Sequence, residues 1–190
     1  MRQMRLFVAV NLPDSLKRTL ADLQRELKRI PADVKWVGAG NLHLTVQFLG
    51  DVPGEQVPEI VFALQEAARD ISPFTLDIAR TGVFPGTERA RVFWAGVGGE
   101  LPVFSLLYRR VQGALAPLGF VPEKRPFSPH LTLARLRSPR GADLLLEKAQ
   151  ALPGAGKFGT FRVESVDLMQ SELDRSGAKY SCLAGVNLFP

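Results

Sequence analysis

Asn41-Leu42-His43-Leu44-Thr45-Val46-Gln47-Phe48-Leu49-Gly50 and Phe127-Ser128-Pro129-His130-Leu131-Thr132-Leu133-Ala134-Arg135 decide how this chain is read. Each contains His-Leu-Thr-aliphatic, and together they hold both histidines of the sequence. Both segments are dense in β-branched and aliphatic residues, which favours strands. Successive side chains of a strand point to opposite faces. His43, Thr45 and Gln47 are therefore expected on one face, with Leu44, Val46 and Phe48 behind them. His130 and Thr132 should likewise share a face, with Leu131 and Leu133 behind. Each motif offers an imidazole and a hydroxyl on an aliphatic anchor. Two such strands facing one another would surround one small anion.

That set of groups suits phosphodiester cleavage without a metal. One neutral imidazole takes a proton from the attacking water, and one imidazolium gives a proton to the departing oxygen. The threonine hydroxyls donate hydrogen bonds to phosphate oxygens whose charge grows in the transition state. A single His-x-Thr in a strand is usually incidental. Two copies that use every histidine in the chain argue for one site built from two half-sites. Neither motif has a second ligand at His-x-His or His-x₃-His spacing, so no metal and no cofactor is expected.

Around the motifs, strands are expected at 5–11, 34–37, 42–49, 74–79, 91–97, 131–136, 161–168 and 180–187. Leu16, Leu20, Leu23, Leu27 and Ile30 recur at helical spacing, with Asp14 or Ser15 as the cap and Pro31 at the end. Further helices are expected at 55–70, 101–115 and 141–152. Gly38 to Asn41, Phe84-Pro85-Gly86 and Asp174-Arg175-Ser176-Gly177 read as turns. The fold class is α+β, as two related halves that meet at a cleft lined by the motif strands.

A chain of 190 residues, 46% of them hydrophobic, has enough apolar content for a core without a staple. The net charge of +5 suits an anionic ligand, and equally an ordinary basic surface. Cys182 is the single cysteine, which excludes an intramolecular disulfide and a cysteine-based zinc site. It reads as a core residue and the compartment as the reducing cytoplasm. Leu6 to Val10 is too short for a signal-peptide core or a membrane span, so no membrane association is expected.

The two motifs, taken with Arg5-Leu6-Phe7-Val8-Ala9-Val10, Trp36-Val37, Phe84-Pro85, Arg91-Val92-Phe93-Trp94 and Leu168-Met169-Gln170-Ser171-Glu172-Leu173 with Gly177 and Tyr180, resemble the 2H phosphoesterases. Within them the chain is most similar to the RNA 2′,3′-cyclic phosphodiesterases, historically called 2′-5′ RNA ligases. The resemblance covers nearly the whole chain. It implies a bilobal, pseudo-twofold-symmetric α+β fold in which antiparallel sheets line a central cleft with helices outside. It also implies a single catalytic unit over 1–190, monomeric, with one motif per lobe.

The activity implied is metal-independent hydrolysis of RNA 2′,3′-cyclic phosphate ends, tRNA fragments among them, to 2′-phosphomonoesters. The resemblance assigns His43 as proton donor and His130 as proton acceptor. The residues themselves leave the two roles interchangeable. Thr45 and Thr132 match phosphate-binding threonines, and Arg135 matches an arginine near the phosphate. Strict alternation sets Arg135 away from the histidines, so a bulge or the strand's end has to turn it inward.

Other signals are open to two readings. Lys124, Arg125, Arg137 and Arg140 either guide an RNA backbone or form a solvated basic loop. Phe48, Trp36 or Phe84 would serve a base as a stacking surface, although alternation puts Phe48 in the core. Gln170-Ser171 either approach the cleft or are structural. Gly96 to Leu101 lacks the last glycine of a dinucleotide loop, and Gly154 to Phe158 has the wrong spacing for a P-loop. Competing functions are ligation of RNA ends, turnover of a small cyclic nucleotide, and a nucleotide- or RNA-binding module without catalysis.

Overall fold

The computed structural model describes residues 3–175 and 177–189, apart from the side chain of Asp174. Among the described residues, nine strands form two antiparallel sheets. The first has the order β3 (His43–Pro53), β1 (Gln3–Asn11), β8 (Ser165–Asp174), β9 (Gly177–Asn187). The second has the order β2 (Val34–Trp36), β6 (His130–Leu136), β5 (Val92–Gly99), β4 (Phe74–Phe84), β7 (Gly159–Val163). Each motif strand lies in a different sheet, and β3 and β6 approach one another where the sheets meet.

The α+β class holds, but the lobes are not the two halves of the sequence. Strands β8 and β9 return from the C-terminal end to complete the sheet begun by β1 and β3, while β2 joins the other sheet. The strand expected over 161–168 is in fact two. The chain leaves the second sheet after Val163 and enters the first at Ser165, so the switch falls at Glu164. Strands β3 and β4 run past their expected ends, to Pro53 and Phe84.

Four helices cover the sheets. Helix α1 (Asp14–Leu27) buries Leu16, Leu20, Leu23 and Leu27, but starts from Pro13 with no side-chain cap; Asp14 stands inside its first turn. Ile30 lies beyond its end. Helices α2 (Val57–Ala68) and α3 (Leu101–Leu115) pack on one another, α2 against β8 and β9 and α3 against β3 and β4. Helix α4 (Ala142–Ala151) packs on α1 and β4. No described helix is long and apolar enough to cross a membrane.

One continuous core takes in Leu6, Val8 and Val10 of β1, Leu44 and Val46 of β3, and Leu131 and Leu133 of β6. Each such side chain contributes about 1.5–3 kcal/mol by leaving water. These residues are the aliphatic anchors behind the two motifs. Phe7, Ala9 and Met169 form a separate small cluster with Tyr180 against it, on the other face of the first sheet. Cys182, expected in the core, is exposed on β9. Ser176, in the turn read from Asp174 to Gly177, lies outside the described residues.

Candidate active site

Both motif strands are irregular at the same place. Opposite β1, Val8 pairs with Gln47 but Ala9 pairs with Thr45, which leaves Val46 as an extra residue. Opposite β5, Phe93 pairs with Ala134 but Trp94 pairs with Thr132, which leaves Leu133 as the extra one. Two consecutive residues are then buried, Val46 and Gln47 in β3 and Leu133 and Ala134 in β6. A bulge of this kind moves the side chains that follow it to the opposite face, until in β3 a second bulge at Leu49 restores the phase.

The shift carries Arg135 to the histidine side. It pairs with Val92, which shares a face of β5 with Trp94, the partner of Thr132. The bulge is fastened from outside the ladder. The Leu133 carbonyl accepts from the Val37 N–H at 2.9 Å and from Gln24 Nε2 at 3.0 Å. The same shift overturns the core position read for Phe48 from alternation. Phe48 is 69% exposed, and its ring lies 6.2 Å from Phe7, itself 4.8 Å from the His43 ring. Gln47 moves the other way, into the core, where neither amide atom has a partner among the described residues.

Each imidazole is held by the same local device. His43 Nδ1 donates to the Asn41 carbonyl at 2.7 Å, and His130 Nδ1 donates to the Ser128 carbonyl at 2.9 Å. A carbonyl only accepts, so the proton sits on Nδ1 and Nε2 is left for chemistry. His43 Nε2 is 3.0 Å from Thr45 Oγ1, which donates to it when the ring is neutral. Asn41 is itself fixed, its Nδ2 donating to the Ala178 carbonyl at 2.6 Å.

The surroundings of the two rings differ. Phe7 lies against His43, and Tyr180 meets it edge-on at 5.3 Å. Burial pushes the His43 pKa below its usual value, the Asn41 carbonyl opposes that, and the nearby Lys17 ammonium adds to it. His130 is walled by Phe84, edge-on at 5.2 Å, and Phe84 rests on Trp94 at 5.0 Å. Trp94 in turn lies across Gly82, where a Cβ would fall 2.1 Å from its ring.

The remaining residues singled out from sequence divide. Arg125 is tied to Glu123 by Nη2–Oε2 at 2.9 Å and Nε–Oε1 at 3.3 Å, and the guanidinium holds the Glu123 carboxyl down to about 2. Arg137 pairs with Asp33 at 3.8 Å. Lys124 and Arg140 are exposed. Trp36 meets Phe93 on the core side, and Gln170 is buried, donating to Glu172 Oε1 at 3.2 Å. Among the described residues, no three His, Cys, Asp or Glu gather where a metal ion could sit. Sequence reasoning missed the apolar seat of His43, Phe7 with Tyr180, because those residues come from β1 and β9 with no spacing that links them to the motif.

A model of the family described as LigT like phosphoesterase matches residues 10–94 and 102–180. An RNA 2′,3′-cyclic phosphodiesterase of Methanothermobacter thermautotrophicus is 37% identical over 180 residues, 94% of this chain and 96% of that protein. One of Thermus thermophilus is 33% identical, covering 97% of this chain and 90% of that protein. Among solved structures, E. coli LigT complexed with 3′-AMP superposes with a TM-score of 0.79 at 27% identity, over 100% of both chains. TT0787 of Thermus thermophilus gives 0.78 at 30% identity, over 97% of this chain and 98% of that one.

Proposed function

This chain belongs to the LigT-like phosphoesterase family, and we propose that it hydrolyses RNA 2′,3′-cyclic phosphate ends to 2′-phosphomonoesters by metal-independent acid–base catalysis. The substrate follows the relatives, which are RNA 2′,3′-cyclic phosphodiesterases. The observation that carries the mechanism is the repeated device: a histidine oriented by its i−2 carbonyl, a threonine two residues on, and a bulge after it, once in each sheet.

In the reaction proposed, His130 Nε2 takes a proton from water as its oxygen attacks phosphorus. The P–O3′ bond breaks and His43 Nε2 protonates O3′, leaving a 3′-hydroxyl and a 2′-phosphate. Thr45 and Thr132 donate to the non-bridging oxygens. Burial disfavours the charged His43 ring in the empty site, so a donor role requires the ring to take up a proton from solvent as the anionic substrate binds. A phosphodiester anion about 4 Å away favours the imidazolium by about 4 kcal/mol at an effective dielectric of 20, which opposes the depression. Once Nε2 is protonated it no longer accepts from Thr45, and that hydroxyl is freed to turn to phosphate.

Arg135 holds substrate phosphate, Phe48 offers the terminal base a stacking surface, and Arg125 reaches the RNA backbone by exchanging Glu123 for a phosphate. We place the protein in the cytoplasm as a monomer acting on RNA ends such as tRNA fragments. A second reading, turnover of small nucleotides, is favoured by the 3′-AMP seen in E. coli LigT.

The test is an oligonucleotide ending in a 2′,3′-cyclic phosphate, incubated with EDTA. Turnover to a 2′-phosphate is expected, with a fall of about 10²–10⁴-fold in His43→Ala and in His130→Ala. No turnover, or a His130→Ala variant at full rate, overturns the proposal.

A further inference from the structure

We propose that Lys35 and Arg135 together form a second phosphate site, which receives the phosphodiester on the 5′ side of the nucleotide whose cyclic phosphate reacts. This rests on the reaction proposed above and names the class of substrate, an RNA chain in preference to a cyclic mononucleotide.

The second sheet carries the argument in its register. Lys35 pairs directly with Arg135, Arg135 with Val92, and Val92 with Phe84. Direct cross-strand partners share a face. The bulge at Leu133 sets Arg135 on the face of Thr132, so Lys35, Val92 and Phe84 share that face. Two further features agree. Trp36, the neighbour of Lys35, pairs with buried Ala134 and meets Phe93 on the opposite, core side. The Phe84 ring reaches His130.

One row beyond Thr132 therefore runs from two cations, over an aliphatic residue, to a ring that is 37% exposed. The cations are placed at a cost. Like charges directly opposite on a sheet repel, and neither the Lys35 ammonium nor the Arg135 guanidinium has an ion pair or side-chain hydrogen bond among the described residues. The adjacent basic residues are satisfied, Arg137 by Asp33 and Arg91 by the Arg137 carbonyl. Two unpaired, abutting cations beside an anion-binding threonine make a site that a phosphate completes. A guanidinium has five donors in a fork and an ammonium three that rotate, so the pair grips one phosphate while Arg135 still faces the reacting one. Val92 and Phe84 give the intervening sugar and base an apolar bed.

The test compares a dinucleotide ending in a 2′,3′-cyclic phosphate with a nucleoside 2′,3′-cyclic phosphate, in the wild type and in Lys35→Ala. The wild type should favour the dinucleotide in kcat/KM, and Lys35→Ala should cut that preference about tenfold, with Lys35→Arg restoring it. Titration of the corresponding dinucleotide and mononucleotide 2′-phosphates should show the same differential in Kd. The dinucleotide salt dependence should fall by about 0.7 in log–log slope, one phosphate on a single strand. An unchanged preference, or equal losses on both ligands, overturns the second site. Wild-type protein that binds with the differential but turns over neither substrate leaves the site standing and overturns the reaction.

Discussion

Phe48 and Arg135 occupy the same position in the two motif strands: each stands three residues after the motif threonine, and a bulge turns each onto the face of its histidine. The likeness of the two strands thus extends past the shared tetrapeptide, and it places different chemistry on the two sheets. The first sheet offers an open ring and the second a guanidinium. A planar base and an anionic phosphate are the two halves of a nucleotide, and in the function proposed above the asymmetry would orient it.

The two residues should therefore fail in different ways. Phe48→Ala removes a stacking surface worth about 1–3 kcal/mol, so KM rises tenfold or more with kcat nearly unchanged. Arg135→Ala removes a donor to developing charge, so kcat falls about a hundredfold. Arg135→Lys recovers little of it, because an ammonium cannot reproduce the fork. Phe48 is 69% exposed and Arg135 is exposed, so neither change should lower the melting temperature measurably. Steady-state kinetics beside thermal melts check both. A kcat loss in Phe48→Ala would remove it from the stacking role.

The motif histidines and threonines, the aliphatic anchors and most elements were legible because each depends on local periodicity. The positions of Phe48 and Arg135 were harder, since a bulge adds one residue and reverses alternation just after it. Its cause lies elsewhere in the chain: Leu133 bulges toward donors at Val37 and Gln24. The break at Glu164 left a fainter trace. Phe161 and Val163 are buried in one phase, and Val166 and Leu168 in the other. The β8 and β9 partners of β1 were out of reach, because pairing across the length of the chain leaves no mark on spacing. Cys182 was misread because an apolar strand at a sheet edge looks like one at its centre.

Gly82 makes room for the wall behind His130. Trp94 lies where a Cβ at position 82 would sit, 2.1 Å from the ring. Gly82→Val should push Trp94 and with it Phe84 off His130, costing about 1–3 kcal/mol of stability for the overpacking. A catalytic group displaced by about 1 Å can lose a hundredfold in rate, so kcat should fall at least tenfold. Gly113→Ala in α3, where nothing lies within 4 Å, is the matched control and should leave kcat unchanged. Tryptophan fluorescence reports the movement. An active Gly82→Val variant with a shifted spectrum would show that His130 does not need the wall.

Buried His43 should make the fold acid-sensitive. Its folded pKa lies below the unfolded value of 6.5 because burial disfavours the charged ring. The unfolded chain then binds the extra proton, and stability rises with pH across the interval between the two values. This contribution is complete above pH 6.5 and is lost as pH falls through the folded pKa. Melting temperatures should therefore drop in the wild type as the pH is lowered from 7.5 to 5. His43→Gln, which does not titrate, should flatten that slope. Parallel slopes in the two proteins would mean the ring is not held neutral.

The assignment of donor and acceptor turns on whether His43 takes up a proton when substrate binds. In His130→Ala, His43 is the one remaining histidine, since the chain has two. That variant cannot activate water efficiently, so it can be saturated with a nucleoside 2′,3′-cyclic phosphate, whose single negative charge does not titrate near neutrality. If His43 is the acid, binding at pH 7.5 takes up close to one proton. Calorimetric titration in buffers of different ionisation enthalpy measures that uptake directly. Affinity should also weaken about tenfold per pH unit above the free-state pKa of His43, because the empty ring must be protonated against the burial that depresses it. If His43 is instead the base, the bound ring stays neutral, no proton is taken up, and affinity is flat over the same range. Zero uptake would exchange the two roles while leaving the chemistry of the site intact.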